Sequence, residues 1–447
     1  MANTNRPGDR QQLVVIEYER LTDSNADLHA QLQQAYGPDG LGVLTISGVP
    51  NISDMRERLL RLASQVAALP APALQRLEDV ASQYNFGWSH GKEALQSGAL
   101  DTHKGSFYAN PMTDQPCAPD SPLLQQYPQY FRPNIWPGPD LPDLEPAFKA
   151  LGQAVVALGT QLAHHCDRYC CALNPGLAPG QLLGVLSASC THKGRLLHYF
   201  PQGRPDSPAE PCPAQPTPHS QQEDAGQADG AGTGPGQEGG TPLTVNDAHG
   251  FTGKGPGAEA EQQQSTGAGA GVGAGGPGAG AGADVKAVDH EQAWCGWHTD
   301  HGSLTGLTSA MFMRGPHVVA CPDPAAGLYI RNRRGQVVQV AIPADHIAFQ
   351  VGEALQVHSG GLLCATPHYV RGARGPGTAD LARNTFAVFM QPDVAVPMDT
   401  PEGVTDEQVA VGQWRRGQTF GEFSTATFEQ YYTAHPKGAM ATDGHVS

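Results

Sequence analysis

The sequence predicts a mainly β fold with flanking helices, of the sandwich or jelly-roll kind, from three observations. Short strand-like segments bounded by turn residues recur from Leu182 to Met390. Helical periodicity is concentrated before that point. A Gly-, Ala- and Pro-rich tract of 89 residues, 202–290, interrupts the strand-rich part. Short strands at this spacing are typical of closed or double-sheet β architectures, with the helices packed against one outer face.

The elements follow from periodicity. Apolar residues spaced by three and four predict helices over 27–36, 53–67, 73–82, 144–173 and 405–412. Apolar and β-branched runs predict strands over 184–189, 195–200, 304–313, 328–332, 337–342, 346–351, 362–370 and 384–390. Asn332-Arg333-Arg334-Gly335 has the composition of a hairpin turn.

The tract 202–290 contains few large apolar residues, so it cannot bury enough surface to offset its ordering entropy. It also contains eleven acids against three Lys and Arg, which is half of the formal net charge of −16. We therefore predict a disordered insertion at 202–290 within one catalytic unit. The other parts of this catalytic unit are an N-terminal helical or mixed region (1–180), a core (181–201 and 291–392) and a C-terminal helix and tail (393–447).

Composition also limits the partners and the compartment. The remaining chain is mildly acidic and lacks a basic stripe, which argues against a nucleic-acid partner. No apolar run approaches the ~20 residues of a membrane helix, and residues 1–12 lack the apolar segment of a signal peptide. An odd number of Cys, nine, does not suggest a disulfide framework. We expect a cytoplasmic monomer without a membrane partner.

The pair Cys166 and Cys170, preceded by His164-His165, permits a zinc hypothesis. The pair lies inside the helical pattern 144–173, where small apolar side chains recur at helical spacing. We therefore favour core packing for these thiols, which behave as small apolar groups when buried.

The tripeptide His298-Thr299-Asp300, followed later by His368, is the strongest functional signal. Residues i and i+2 of an extended segment lie on one face, so His298 and Asp300 can reach one metal while a later strand supplies His368. Two imidazoles and one carboxylate on one side of a metal form the site typical of non-haem Fe(II) enzymes. His-x-Asp alone is a weak motif in a chain with 18 His. The other histidines considered near the motif are His301, His346 and His358, and surface or supporting roles are favoured for them.

Arg383 directly precedes the predicted strand 384–390, and Thr385 lies on it. Because the two residues are two positions apart in an extended segment, their side chains share one face. An arginine turned into a barrel interior is costly unless it meets an anion, and its planar fork fits a carboxylate. With a hydroxyl beside it, the implied anion is the distal carboxylate of a 2-oxo diacid.

Together these segments resemble the Fe(II)- and 2-oxoglutarate-dependent oxygenases of the isopenicillin N synthase-like class. The residues that carry the resemblance lie in HTDHGSLTGL, GEALQVHSGGLLCATPHYV and RNTFAVF, with weaker similarity in 13–17, GLGVLTISGVP and Asn134-Ile135-Trp136-Pro137. The resemblance implies a double-stranded β-helix (jelly-roll) core, Fe(2+) on His298, Asp300 and His368, and 2-oxoglutarate held by Arg383 and Thr385. It covers most of the chain outside 202–290 and the two ends.

Two positions depart from the family pattern. Ser47 stands where the family usually has the His of His-Gly-Val-Pro, and His198-Tyr199-Phe200-Pro201 stands where it commonly has Asn-Tyr-Tyr-Pro. Phe200 lacks the hydroxyl that often touches 2-oxoglutarate. Either His198 or Tyr199 substitutes for it, or affinity for the 2-oxo acid is lower.

The resemblance implies an oxidoreductase that uses O2 and 2-oxoglutarate to hydroxylate, desaturate or cyclise a small organic substrate, releasing succinate and CO2. The alternatives are an iron oxidase of the same fold that does not consume 2-oxoglutarate, and a non-catalytic binding or scaffold protein. Candidate substrate-wall residues share the aromatic or basic character of two N-terminal segments, with ordinary packing as the competing interpretation: Tyr84, Phe86, Trp88, His90, Lys104, Phe107 and Tyr108.

Overall fold

The computed structural model describes residues 11–92, 100–202 and 293–433. The chain divides into one unit formed by Met1–Ser207 and Asp289–Ser447 and a second formed by Pro208–Val288. The second unit, and with it nearly all of the predicted insertion 202–290, lies outside the described residues. None of the described helices is long and apolar enough to cross a bilayer.

The helices of the described residues lie mostly before residue 190 and after residue 350. They are α1 (Tyr18–Thr22), α2 (His29–Tyr36), α3 (Ile52–Ala67), α4 (Ala71–Arg76), α5 (Leu123–Gln126), α6 (Pro128–Phe131), a 3₁₀ turn (Gly138–Asp140), α7 (Leu144–Leu173), α8 (Gln181–Ser187), α9 (Glu353–His358), α10 (Asp406–Val409) and α11 (Phe420–Thr433).

The strands form two sheets. They are β1 (Val14–Glu17), β2 (Val43–Ser47), β3 (Gly87–His90), β4 (Lys104–Ala109), β5 (Lys193–Tyr199), β6 (Ala293–His298), β7 (Leu304–Thr308), β8 (Met311–Arg314), β9 (His317–Val319), β10 (Gly327–Arg331), β11 (Val337–Val340), β12 (Ile347–Val351), β13 (His368–Arg371) and β14 (Ala382–Met390). The larger sheet has the order β1-β2-β12-β7-β14-β5-β4-β3, with β8 and β9 attached beside β14, and the smaller has the order β11-β10-β13-β6. The larger sheet is mixed, because β1 and β2 are parallel, and the smaller sheet is antiparallel. The predicted β sheets with flanking helices are confirmed.

The main core lies between the larger sheet and the helices α3 and α7. The long helix α7 has the predicted bounds because its small and branched apolar residues give it one wide buried face. Two glycines allow the helix to approach the sheet: a Cβ on Gly159 of α7 would lie 2.2 Å from Met390 Sδ of β14, and a Cβ on Gly306 of β7 would lie 2.2 Å from Val155 Cγ1 of α7. Cys166 and Cys170 are fully buried in this core, and burial raises the pKa of both thiols above the ordinary range. The packing interpretation of this pair is therefore confirmed.

One predicted strand, 184–189, is wrong, because these residues belong to helix α8 and the turn that follows it. Gly180, at φ +83°, starts the helix. The Asp167 carboxylate on α7 then accepts the backbone N–H of Leu182 at 2.7 Å and of Leu183 at 3.2 Å. An acceptor from a distant helix satisfies the first N–H groups of α8, and local sequence does not reveal it.

Two other predicted strands are shorter than expected. The predicted strand 304–313 breaks after Thr308, where Arg56 of α3 donates to the carbonyls of Ser309 and Ala310, both at 2.8 Å. Residues 362–367 are not a strand, and Gln356 Oε1 accepts the N–H of Ala365 at 2.8 Å there. In both segments side chains from other elements bind backbone groups that a sheet would otherwise pair.

Candidate metal centre

Two adjacent strands of the smaller sheet bring the two predicted histidines together. His298 at the end of β6 is the cross-strand partner of His368 at the start of β13. Their ring centroids lie 4.2 Å apart. His298 Nδ1 lies 2.8 Å from the carbonyl oxygen of Gly296, which turns its Nε2 towards Asp300 Oδ1 at 3.7 Å.

Asp300 lies two residues beyond β6, in a loop that the first turn of α9 fixes. The backbone N–H of Glu353 donates to the Asp300 carbonyl at 2.8 Å, and that of Gly352 donates to the Ser303 carbonyl at 2.9 Å. Any Cβ at Gly352 would lie 2.1 Å from the Gly302 carbonyl oxygen, so this close approach requires glycine. The free N–H groups of a helix start thus hold the backbone of the His-x-Asp segment.

The surroundings favour a carboxylate and a neutral imidazole. Burial acts to raise the pKa of Asp300, but His368, His298 and a hydrogen bond from Thr305 outweigh burial and lower it. Burial and the neighbouring His298 lower the pKa of His368 to about 4. Asp300 therefore offers a charged oxygen and His368 an unprotonated nitrogen, which are the donor forms that a divalent metal needs. At His298 burial lowers the pKa, but Cys295, Asp300 and the Gly296 carbonyl outweigh burial and raise it to about 9, so a metal must displace the proton of this imidazole.

Donor atoms of His298, Asp300 and His368 all lie within 4.8 Å of one another, and this is the one such group of three among the residues that the structure describes. The other histidines of the region lie elsewhere. His301 packs against Phe420 and Phe428. His346 contacts Thr45 Oγ1 at 3.1 Å, and His358 contacts the Pro397 carbonyl at 3.0 Å.

A cavity of about 290 Å³ lies between the two sheets, and the three-residue group forms part of its wall. The predicted co-substrate residues line the same cavity. Arg383 and Thr385 project from β14, and Tyr199 from β5 is the cross-strand partner of Arg383. The structure thus brings all six predicted site residues to one cavity.

Arg383 is a buried cation whose guanidinium packs beside two neighbouring aromatic rings, 5.0 Å from the centroid of Tyr199 and 5.4 Å from that of Trp294. Its Nε and Nη1 atoms have no hydrogen-bond partner among the described residues. Buried guanidinium donors without partners are costly. The geometry therefore suits an anion that enters the cavity and accepts from this guanidinium.

Phe200 faces away from the cavity, so the hydroxyl that it lacks would not reach a co-substrate there. Its ring packs against His90 and His198, with centroids 4.8 and 4.7 Å away, and it is not among the cavity-lining residues. His198 also faces away, with Nδ1 2.7 Å from Asn384 Oδ1. Because strand residues alternate between faces, Tyr199 is the residue that turns its phenol towards the cavity.

Among the candidate substrate-wall residues, Lys104 alone lines the cavity. Its ammonium pairs with Asp101 Oδ2 at 2.8 Å. Phe86, Trp88 and Phe107 are core residues, with at most 3% of their surface exposed. The remaining candidates lie outside the cavity wall: Tyr84, His90 and Tyr108.

Arg195 and Gln350 are among the residues of the site that sequence reasoning missed. Arg195 lines the cavity, and its side chain contacts Ser106 Oγ at 3.0 and 3.1 Å. Arg195 lies four residues before Tyr199 on the same strand, so the two side chains share one face, and this spacing is the sequence signal for Arg195. Gln350 contacts His368, and its signal was a single polar residue in the buried strand Ile347–Val351.

No protein-family model matches the sequence, and no curated protein matches it either. Several solved structures do match it. A Caulobacter crescentus protein described as one of the 2OG-Fe(II) oxygenase family matches at a TM-score of 0.56 and 13% identity, over 94% of this chain and 99% of that one. A Neurospora crassa protein in complex with alpha-KG and thymine matches at 0.55 and 14%, over 97% and 99%. JOX2 in complex with 2OG, Fe and JA matches at 0.52 and 13%, over 94% and 87%. The chain has the fold of the 2-oxoglutarate and Fe(II) oxygenases.

Proposed function

We propose that this protein is an Fe(II)- and 2-oxoglutarate-dependent oxygenase that oxidises a small organic substrate. The observation that carries the proposal is the coexistence in one cavity of a three-residue donor group and a buried arginine, two donor atoms of which have no partner in the described part of the chain. The first suits a divalent metal with open positions, and the second suits a carboxylate. We also propose that the two sheets around this cavity form a double-stranded β-helix, which the likeness in fold to the oxygenases supports.

His298, Asp300 and His368 would hold the iron, and Arg383, Thr385 and Tyr199 the distal carboxylate of 2-oxoglutarate. Bound Fe(II) and 2-oxoglutarate supply the O2-dependent oxidation, with release of succinate and CO2. The protein contributes binding and orientation. The guanidinium, packed beside Tyr199 and Trp294, sets the direction in which the diacid enters.

The substrate is proposed from cavity size and from similar structures. The Neurospora crassa protein is described with thymine and JOX2 with JA, both small molecules. A cavity of about 290 Å³ that also holds the co-substrate leaves room for a molecule of similar size.

That the protein is a cytoplasmic monomer stays a prediction. The oxidase alternative was favoured by Phe200, and the position of that ring outside the cavity removes its support.

The test is anaerobic reconstitution with Fe(II), followed by 2-oxoglutarate. We expect the weak visible charge-transfer band of the chelate, and its loss together with iron binding in Asp300→Ala. Asp345→Ala is the matched control, because Asp345 and His346 form another Asp–His pair, at 3.9 Å, outside the cavity. Bound iron without the band would support the oxidase, and no iron binding would support the scaffold. An unchanged Fe(II) isotherm in Asp300→Ala would refute the ligand assignment.

A further inference from the structure

Gln350 is a fully buried amide in contact with one of the proposed ligands. It lies on β12, every residue of which is buried. Its amide Nε2 position is 2.7 Å from His368 Nδ1 and 3.4 Å from the Thr366 carbonyl oxygen. Its Oε1 is one of the buried polar atoms without a hydrogen-bond partner among the described residues.

These contacts decide which nitrogen of His368 can reach a metal. Nδ1 is occupied by Gln350 and by the Thr366 carbonyl at 3.3 Å, which leaves Nε2 for the donor group. A neutral imidazole that binds a metal through Nε2 carries its proton on Nδ1. That N–H needs an acceptor, and an amide nitrogen cannot be one.

The amide can provide the acceptor by rotating. The oxygen and nitrogen of a Gln side chain occupy equivalent positions related by a half-turn of the amide. With the oxygen towards His368, the unpartnered Oε1 accepts from Nδ1–H over the 2.7 Å contact. That is shorter than the 3.3 Å to Thr366. We propose that Gln350 is a positioning residue of the metal site, whose amide oxygen holds His368 in the tautomer and orientation that expose Nε2.

The neighbouring strand supports this role. Gln350 is paired across the sheet with Thr305 of β7, and the Thr305 hydroxyl hydrogen-bonds to Asp300. One cross-strand pair on the larger sheet therefore holds two of the three proposed ligands. Groups that hydrogen-bond to metal ligands typically change metal affinity by about 10- to 100-fold when they are removed.

The inference rests on the proposed metal site, so its test separates the two. The probe is Co(II), titrated into the metal-free full-length protein and followed by its visible absorption. We expect Gln350→Met to bind Co(II) about 10- to 100-fold more weakly than wild type, and Gln350→Glu, which keeps an acceptor oxygen, to recover most of the affinity. In wild type, proton NMR of the Co(II) protein should resolve two shifted, exchangeable N–H signals, one from each of the two ligating histidines. Gln350→Met should broaden or lose one of them and leave the other.

Gln391→Met is the matched control, because Gln391 is also buried and its amide donates to a backbone carbonyl, that of Thr191. Thermal melting of each metal-free variant establishes that it is folded. Wild-type affinity and unchanged N–H signals in Gln350→Met would overturn the positioning role while leaving the metal site intact. Equal losses in Gln350→Met and Gln350→Glu, or in Gln391→Met, would reduce the role to packing. Failure of wild type to bind Co(II) would overturn the metal site itself.

Discussion

Replacing Arg383 by Met should separate co-substrate binding from metal binding. Nε and Nη1 of Arg383 are buried and without partners among the described residues, so at least one charge-assisted hydrogen bond to 2-oxoglutarate is available. Such a bond contributes about 1.5–3 kcal/mol. At about 1.4 kcal/mol per tenfold, we expect the Kd for 2-oxoglutarate to rise by about 10- to 100-fold.

The same substitution should make the ligand-free protein more stable. The guanidinium is buried beside Tyr199 and Trp294, and the Met side chain removes a cation with unpaired donors while filling much of its volume. In wild type, 2-oxoglutarate at a hundredfold excess over Kd should stabilise the fold by about 2.7 kcal/mol. In Arg383→Met that increment should vanish.

The assay is anaerobic calorimetric titration of the Fe(II) protein with 2-oxoglutarate, paired with melting curves with and without it. Arg314→Met is the control, since Arg314 lies on the neighbouring β8 and pairs at the surface with Asp380. Unchanged 2-oxoglutarate affinity in Arg383→Met would refute the carboxylate assignment. A parallel loss of Fe(II) and 2-oxoglutarate affinity would indicate a disturbed fold.

Three further predictions concern other parts of the molecule. Tyr199→Phe should weaken the binding of 2-oxoglutarate by about 1 kcal/mol, and Phe200→Tyr should leave that binding unchanged in the same titration. A change in affinity in Phe200→Tyr but not in Tyr199→Phe would contradict the assigned faces of β5. Burial and then Asp300 raise the pKa of Glu353 from 4.5 to about 7, so the native state binds the proton more tightly and the free energy of unfolding falls as pH rises between those values. Glu353→Gln should reduce the difference between the free energies of unfolding at pH 5 and pH 8, measured by urea denaturation. A difference equal to that of wild type would refute the role of Glu353. Replacing 203–290 by a Gly-Ser linker should preserve Fe(II) binding, because the proposed ligands lie outside the replaced segment; insoluble protein would show that the segment is structural.

The sequence by itself determined the elements whose signal is local and periodic. The bounds of α7 follow from its apolar face alone. The turn between β10 and β11 follows from Asn332 to Gly335, where Gly335 adopts φ +78°. The chemistry of the site was also readable from residue types, since the spacing of His298 and Asp300 and the later His368 specify a donor set without any knowledge of distances.

Only the tertiary structure decided the elements that depend on partners distant in sequence. Helix α8 forms where an apolar run suggests a strand, because Asp167 accepts the N–H groups at its start. The strand after Leu304 ends early because Arg56 binds the next two carbonyls. Contacts between residues more than ten positions apart in sequence leave no periodic trace, so pattern reading cannot detect them.

The same distinction applies within the site. Sequence placed His298 and His368 in one set, but the cross-strand register of β6 and β13 is what brings their rings to 4.2 Å. Sequence also left open whether Tyr199 replaces the hydroxyl that Phe200 lacks, whereas the pleat of β5 turns one ring into the cavity and the other away from it. Residue type determines which chemistry is available, and strand register and burial determine which of the available groups can meet.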